Sequence, residues 1–198
     1  MRSPLPLAAV ALWGALVPVL GQEPSPKQEK LLVVERVIDA PVERVWAAFT
    51  DPSAMRAWLA PHVEVDLRIG GAMRTNYDAE GEIGDANTIV NTILCYDPLR
   101  MLALQNTKAP ADFPFAKGTA GTWSVTYFTA LEDGRTRVKI VGLGWPDDEE
   151  GARAFAFFEK GNAYSLALLA KHLAGEQVIK PRSDGADVPA ATVVAPRP

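Results

Sequence analysis

One cysteine and two histidines occur in the 198 residues, and each scarcity closes off chemistry. A lone Cys95 can form no intramolecular disulfide, so the domain must rest on its core. With Ile93, Leu94 and Tyr96 beside it and no basic neighbour to ionise it, Cys95 is expected to be a buried strand residue. His62 and His172 are too few and too far apart in sequence for a transition-metal site, which draws on several His or Cys ligands. No metal and no cofactor is therefore expected. His62 reads as an exposed residue at the start of a strand, and His172 as a last-turn residue of a helix, where a cation suits the dipole. Dinucleotide, phosphate-loop, zincin and nucleophile-elbow motifs are all missing. The net charge is −4, without a basic run, so neither nucleic acid nor an anionic membrane surface is an expected partner.

What is present begins with an unusual N-terminus. Met1-Arg2-Ser3 is followed by a charge-free apolar run from Leu5 to Leu20, ending in Val19-Leu20-Gly21. This is the pattern of a secretory signal peptide cleaved before Gln22. The run is interrupted by Pro6 and Pro18 and falls short of the about 20 apolar residues a membrane span needs. No cysteine for lipid attachment follows it, so the mature chain is expected to be secreted or periplasmic, without a stable membrane anchor. Residues 22–30 read as a polar, proline-bearing linker, residues 31–174 as one domain, and residues 175–198 as a disordered tail of Pro, Ala and Val. Hydrophobic residues make up 48% of the chain, enough for a real core.

Within the domain, Leu31 to Ile38 reads as a strand. Ala40-Pro41 opens a helix whose apolar face carries Val42, Val45, Trp46 and Phe49, and Thr50-Asp51-Pro52 starts a second, ending near Trp58. Val63, Val65, Leu67 and Ile69 then alternate with Glu64, Asp66 and Arg68, the period of a half-buried strand. Gly70-Gly71 marks a hairpin returning through residues 72–77. Further strands are expected over 87–96, 101–106, 122–131 and 135–143, with a loop at 107–120. From Asp147 to Leu173 the period becomes helical, placing Phe155, Phe158, Asn162, Leu166, Leu169 and Leu173 in one arc, with Phe157, Tyr164 and Leu168 on its flank. Hairpin-linked strands with helices at the ends mean α+β: a curved antiparallel sheet of about seven strands, two short helices, and a long C-terminal helix gripping the sheet around a cavity.

The string Ile38-Asp39-Ala40-Pro41-Val42-Glu43-Arg44-Val45-Trp46-Ala47-Ala48-Phe49-Thr50-Asp51-Pro52, then Trp58, then Asp66-Leu67-Arg68-Ile69-Gly70-Gly71, resembles the SRPBCC (START-like) superfamily. Gly142-Leu143-Gly144-Trp145 adds to the likeness, which is greatest to the group named after the activator of the Hsp90 ATPase. The resemblance spans residues 31 to 174 and implies a helix-grip fold with a deep hydrophobic cavity, used by relatives for lipids, polyketides or hormones. It brings no catalytic signature: the matched residues are structural in the family. A chaperone-activating role would need a cytosolic partner, which residues 1–21 argue against.

The expected function is thus an exported binding protein for a small hydrophobic molecule. A cavity enzyme of the cyclase or hydrolase kind and a co-chaperone-like interaction domain are the alternatives. Candidate ligand-binding residues are Arg74, Tyr77, Trp123, Tyr127, Trp145, Phe158 and Asn162. Asn162 interrupts the apolar arc of the long helix, so its amide meets either a polar ligand group or a neighbouring backbone or tyrosine hydroxyl. Arg68, Arg74 and Asn76 stand opposite the apolar face, either solvated or lining the cavity with polar groups; the solvated reading is favoured for Arg68 and both stay open for Arg74. Phe113 and Phe115 make the 107–120 loop a candidate lid.

Overall fold

Strand β1 (Leu32–Ile38) leaves one edge of the sheet through two helices, α1 (Val42–Thr50) and α2 (Pro52–Arg56). The chain re-enters at the opposite edge with β2 (His62–Val65). It then returns by β3 (Ala72–Asn76), β4 (Ile89–Asp97), β5 (Met101–Lys108), β6 (Trp123–Ala130) and β7 (Thr136–Leu143) before the long helix α3 (Glu149–Leu173). The resulting seven-stranded sheet has the order β1-β7-β6-β5-β4-β3-β2, and each neighbouring pair is antiparallel. This is the helix-grip arrangement. The structure, a computed structural model, describes residues 29–178 apart from positions 111 and 120. The leader at 1–21, the linker up to 28 and the tail from 179 lie outside the described residues.

Side-chain caps explain where α2 and α3 begin. Asp51 accepts from the backbone N–H groups of Ser53 and Ala54, at 2.8 and 2.9 Å, and from the Ser53 hydroxyl, with Pro52 as the first helical residue of α2. The Ser53 hydroxyl, and then the Ala54 amide, hold the Asp51 carboxyl below the ordinary value of 3.8. A carboxyl depressed by folding stabilises the native state above its unfolded pKa, and that stabilisation is lost as pH falls through the folded pKa. Asp51→Asn is therefore expected to melt below the parent protein at neutral pH. The gap between the two should close as the pH drops below about 4, which thermal unfolding across a pH series measures.

Helix α3 begins at Asp148, whose carboxylate accepts from the Gly151 N–H at 2.7 Å, with Glu149 and Glu150 in the first turn. It ends in a Schellman turn. Gly175, at φ 93°, donates to the His172 carbonyl and Glu176 to that of Lys171. Val178 packs against the core, so the chain stays docked a few residues past the expected boundary at 174.

Register pairs show which residues share a face. Val34 and Ile38 of β1, Val138 and Ile140 of β7, Phe128 of β6 and Leu102 of β5 face the helices. They join Val45, Met55, Trp58, Leu166 and Leu169 in one core. Phe128 meets Trp46 and Phe49 of α1 edge-on, at 5.4 and 5.2 Å.

The strand expected over 63–69 stops at Val65. Beyond it Gly71 closes a turn on the Arg68 carbonyl, and a Cβ at Gly71 would collide with the Asp66 carbonyl. The alternation consequently carries no burial past that point: Leu67 is exposed and Ile69 is 67% accessible. Arg68 pairs with Asp66 in solvent. Cys95 is exposed rather than buried, because a register shift between Ile93 and Cys95 sets it on the outer face opposite Ala103. Asn76 belongs to no solvated face. It is fully buried, donating to the Glu82 carbonyl and the Asp85 carboxylate and accepting from the Asp78 N–H, which ties down the 77–88 loop.

Candidate functional site: a groove between α3 and the sheet

The C-terminal half of α3 is anchored by Leu166, Leu169 and Leu173, all buried in the core. Its strand neighbour is principally the edge strand β1. The middle of the helix is different. Phe158, Gly161, Asn162 and Ser165 are only half-buried, and a Cβ built on Gly161 would meet nothing within 4 Å. On the same side of the sheet lie the inner-face residues of the central strands. Ser124 pairs with Leu104, Asn106 with Asn91, and Leu104 with Ile93. Leu104, Asn106, Ser124 and Asn91 each keep part of their surface accessible. A helix packed directly onto the centre of a seven-stranded sheet would leave these residues none. The inner face is therefore filled at the α1 end and open towards mid-α3, forming a groove.

Aromatic side chains close the end of the groove near the start of α3. Trp145 meets Phe155 edge-on at 5.4 Å and Phe158 at a tilt at 5.8 Å, and its indole edge lies over Gly142, where an added Cβ would stand 3.2 Å from Nε1. The indole nitrogen is buried without a hydrogen-bond partner, a costly state for a donor. Lys30 places its ammonium 4.1 Å from the centre of the Phe155 ring. The 107–120 segment, of which β5 takes residues 107 and 108, brings Phe113 and Phe115 against Phe157 and Phe158 at ring distances of 5.1 to 6.1 Å. Gly118 fastens the segment by donating to the Glu150 carboxylate at 3.2 Å.

The groove's polar groups are few. Asn106 donates to the Asn91 side chain at 3.3 Å, a pair that sequence reasoning missed because its only signal is register. Asn162 sits one turn beyond Phe158, and among the described residues its amide makes no side-chain hydrogen bond. Tyr77 continues the inner-face alternation of Met73 and Thr75 past the end of β3. It keeps 49% of its surface accessible, yet burial pushes its phenol up to about 12.

Trp145 thus meets Phe158 beside the start of α3, with Asn162 one turn further along the helix and Tyr77 on the inner face of the sheet. Three other sequence candidates lie elsewhere. Trp123 and Tyr127 are paired with Leu143 and Lys139 on the outer face, away from the helix. Arg74 is on the outer face of β3, opposite Glu64, with which it makes a 3.7 Å ion pair. It borders an open depression of about 410 Å³ at the β2 edge that also touches Pro52, Val63 and Val65. Tyr164, expected on the apolar flank of α3, is 68% exposed. His62 is partly buried at the start of β2, with Nε2 3.2 Å from the Ala79 carbonyl. Among the described residues no cluster of three His, Cys, Asp or Glu could hold a metal, and no helix is long and apolar enough to cross a membrane.

The family model for Activator of Hsp90 ATPase homolog 1-like protein matches residues 39–174. The chain belongs to that family. The family match covers β2 through β7 and α1 through α3, leaving out only β1 of the described elements. Solved structures agree on the fold. MLL2253 of Mesorhizobium loti is 21% identical with a TM-score of 0.59, over 73% of this chain and 97% of that one. CalU16 of Micromonospora echinospora is 20% identical with a TM-score of 0.55, over 74% and 76%. The Aha1 dimer of Colwellia psychrerythraea is 15% identical with a TM-score of 0.55, over 73% and 96%. No curated protein is similar in sequence at a significant level.

Proposed function

We propose that this member of the family is a binding protein for a small, largely apolar molecule held between α3 and the inner face of β4–β6. The observation that carries the reading is the half-buried state of Leu104, Asn106, Ser124 and Asn91, central inner-face residues that a helix laid directly on them would cover. Apolar surface placed there gains about 25 cal/mol per Å² removed from water. A neighbour of the same fold, DynU16, comes from the dynemicin biosynthetic locus (18% identity, TM-score 0.57). That lends support to small-molecule traffic without identifying this protein's guest.

Tyr77 speaks to the enzyme alternative. Its phenol stays neutral and can donate, but no carboxylate or lysine shares the inner face of β2–β7 among the described residues. The base half of an acid–base step is thus unsupplied, and binding is the better reading. Native mass spectrometry of protein purified from its producing cells tests it. A retained small molecule, lost on denaturation, is the expected result; identical native and denatured masses would count against it. Export is proposed alongside, on residues 1–21. The mature chain should then begin at Gln22, and a mature chain beginning at Met1 would refute that.

A further inference from the structure

The solvated face of an antiparallel sheet is ordinarily the polar one, and here it is not. Helices α1, α2 and α3 send Val45, Met55 and Leu166 into the core on the inner face, so among the described residues no helix covers the outer one. On that outer face the register aligns Val33, Val141, Val125, Ala103 and Cys95 in one uncharged row across β1, β7, β6, β5 and β4. Leu143 and Trp123 widen the row on one side, and Tyr127 and Met101 on the other. Val33 keeps 48% and Tyr127 43% of their surface accessible, and Cys95 is exposed. A continuous apolar patch of this kind marks a surface that meets a partner.

Its charges point to the kind of partner. Lys139 on β7 and Asp97 on β4 share a row, with Tyr127 of β6 and Met101 of β5 between them. They are therefore equally far from the midline between β6 and β5. A two-fold axis along that midline brings a second copy face to face, and each Lys139 then meets Asp97 of the other chain. The same rotation sets Tyr127 over Met101, Val125 over Ala103 and Val141 over Cys95. Packed sheets stand about 10 Å apart, a gap that a lysine and an aspartate together span. Glu35, beside Lys139 in register, pairs instead with Arg137 at 3.2 Å, and Asp97 is held by the exposed Arg100 at 3.4 Å. Neither contact stops the lysine and the aspartate from reaching across.

We infer that the outer face is the contact of a reversible, isologous dimer whose two-fold axis follows the β6–β5 midline. Strands β1, β7, β6, β5 and β4 lie about 4.8 Å apart, and rows spanning about five residues give each chain a face of roughly 400 Å² in projection. Two such faces fall below the about 1,200 Å² that marks stable complexes, so the dimer is weak and depends on concentration. The groove, on the other face of the sheet, stays open in both chains.

Sedimentation equilibrium of the purified protein should show one chain at low concentration and two at high. Cys95 is the chain's only thiol, so its reaction with Ellman's reagent reports the face directly and should slow as the dimer forms. Val141→Lys puts a charge in the middle of the apolar row and should leave a single chain at every concentration, with Cys95 at its single-chain rate. Should that variant unfold, the charge pair tests the same geometry. Lys139→Asp and Asp97→Lys should each weaken association about tenfold, and the two together should restore it. A parent protein that stays a single chain throughout overturns the inference. So does association that leaves Cys95 at its single-chain rate, or a double variant that associates no better than the single ones. Growth beyond two chains overturns the closed two-fold arrangement. Binding of the single chain to phosphatidylcholine vesicles, lost in Val141→Lys, would give the face to a membrane and overturn it as well.

Discussion

Leu104→Trp is expected to lower Nile red affinity on the order of a hundredfold while leaving the melting temperature nearly unchanged. Leu104 is on the central strand β5, on the inner face, between Ser124 and Ile93 in register, and is only half-buried. A larger ring at that position rises into the space a guest would take. If the space is open, the indole lies in it with little strain. If instead the helix and sheet were closed over Leu104, the same substitution would overpack a filled core and cost about 1–3 kcal/mol. Dye titration and thermal unfolding on the same preparation distinguish the cases. Lost binding with retained stability supports the groove, whereas retained binding, or a protein that no longer folds, opposes it.

Trp58→Ala should have the largest effect on stability, a loss of about 3–5 kcal/mol in urea unfolding. Trp58 is 2% exposed, lies 5.7 Å from the Phe49 ring, and donates from Nε1 to the Ala48 carbonyl at 2.8 Å. That carbonyl lies in the last turn of α1, where no residue of the same helix can donate to it, so the indole serves as its cap. Truncation opens a cavity and strands a buried acceptor together. Trp58→Phe separates the two, since the ring is mostly kept and the bond lost, and should cost about 1–3 kcal/mol. A loss below about 1 kcal/mol for the alanine variant would mean that the α1–α2 corner contributes little to the core.

Much of this architecture could be read from local periodicity. The run Thr136–Leu143 alternates cleanly because its inner residues are buried on the core and its outer ones include Arg137 and Lys139. Helix α3 could be read because Leu166, Leu169 and Leu173 recur at helical spacing beneath an Asp148 cap. The groove was harder to find, and the reason is physical. In Trp123–Ala130 the outer set, Trp123, Val125 and Tyr127, is more apolar than the inner set, Ser124, Thr126 and Phe128. Alternation tells which residues share a face, and hydrophobicity then points to the wrong one as inward. The inner face can be the more polar here because part of it lines a groove instead of a packed core. Asn91 and Asn106 were missed for the same reason, since their meeting depends on a strand register that no short stretch of sequence encodes. Asn162 stood out as a polar group interrupting the apolar arc of the long helix, a signal that needs no knowledge of register.

Two indole N–H resonances decide most directly whether guests enter between α3 and the sheet. Trp145 faces the groove's aromatic end and Trp123 lies on the opposite face of the same sheet. In a proton–nitrogen correlation spectrum titrated with Nile red, the Trp145 signal should move to saturation and the Trp123 signal stay in place. Movement of Trp123 with Trp145 unchanged would put the guest on the outer face and contradict the groove.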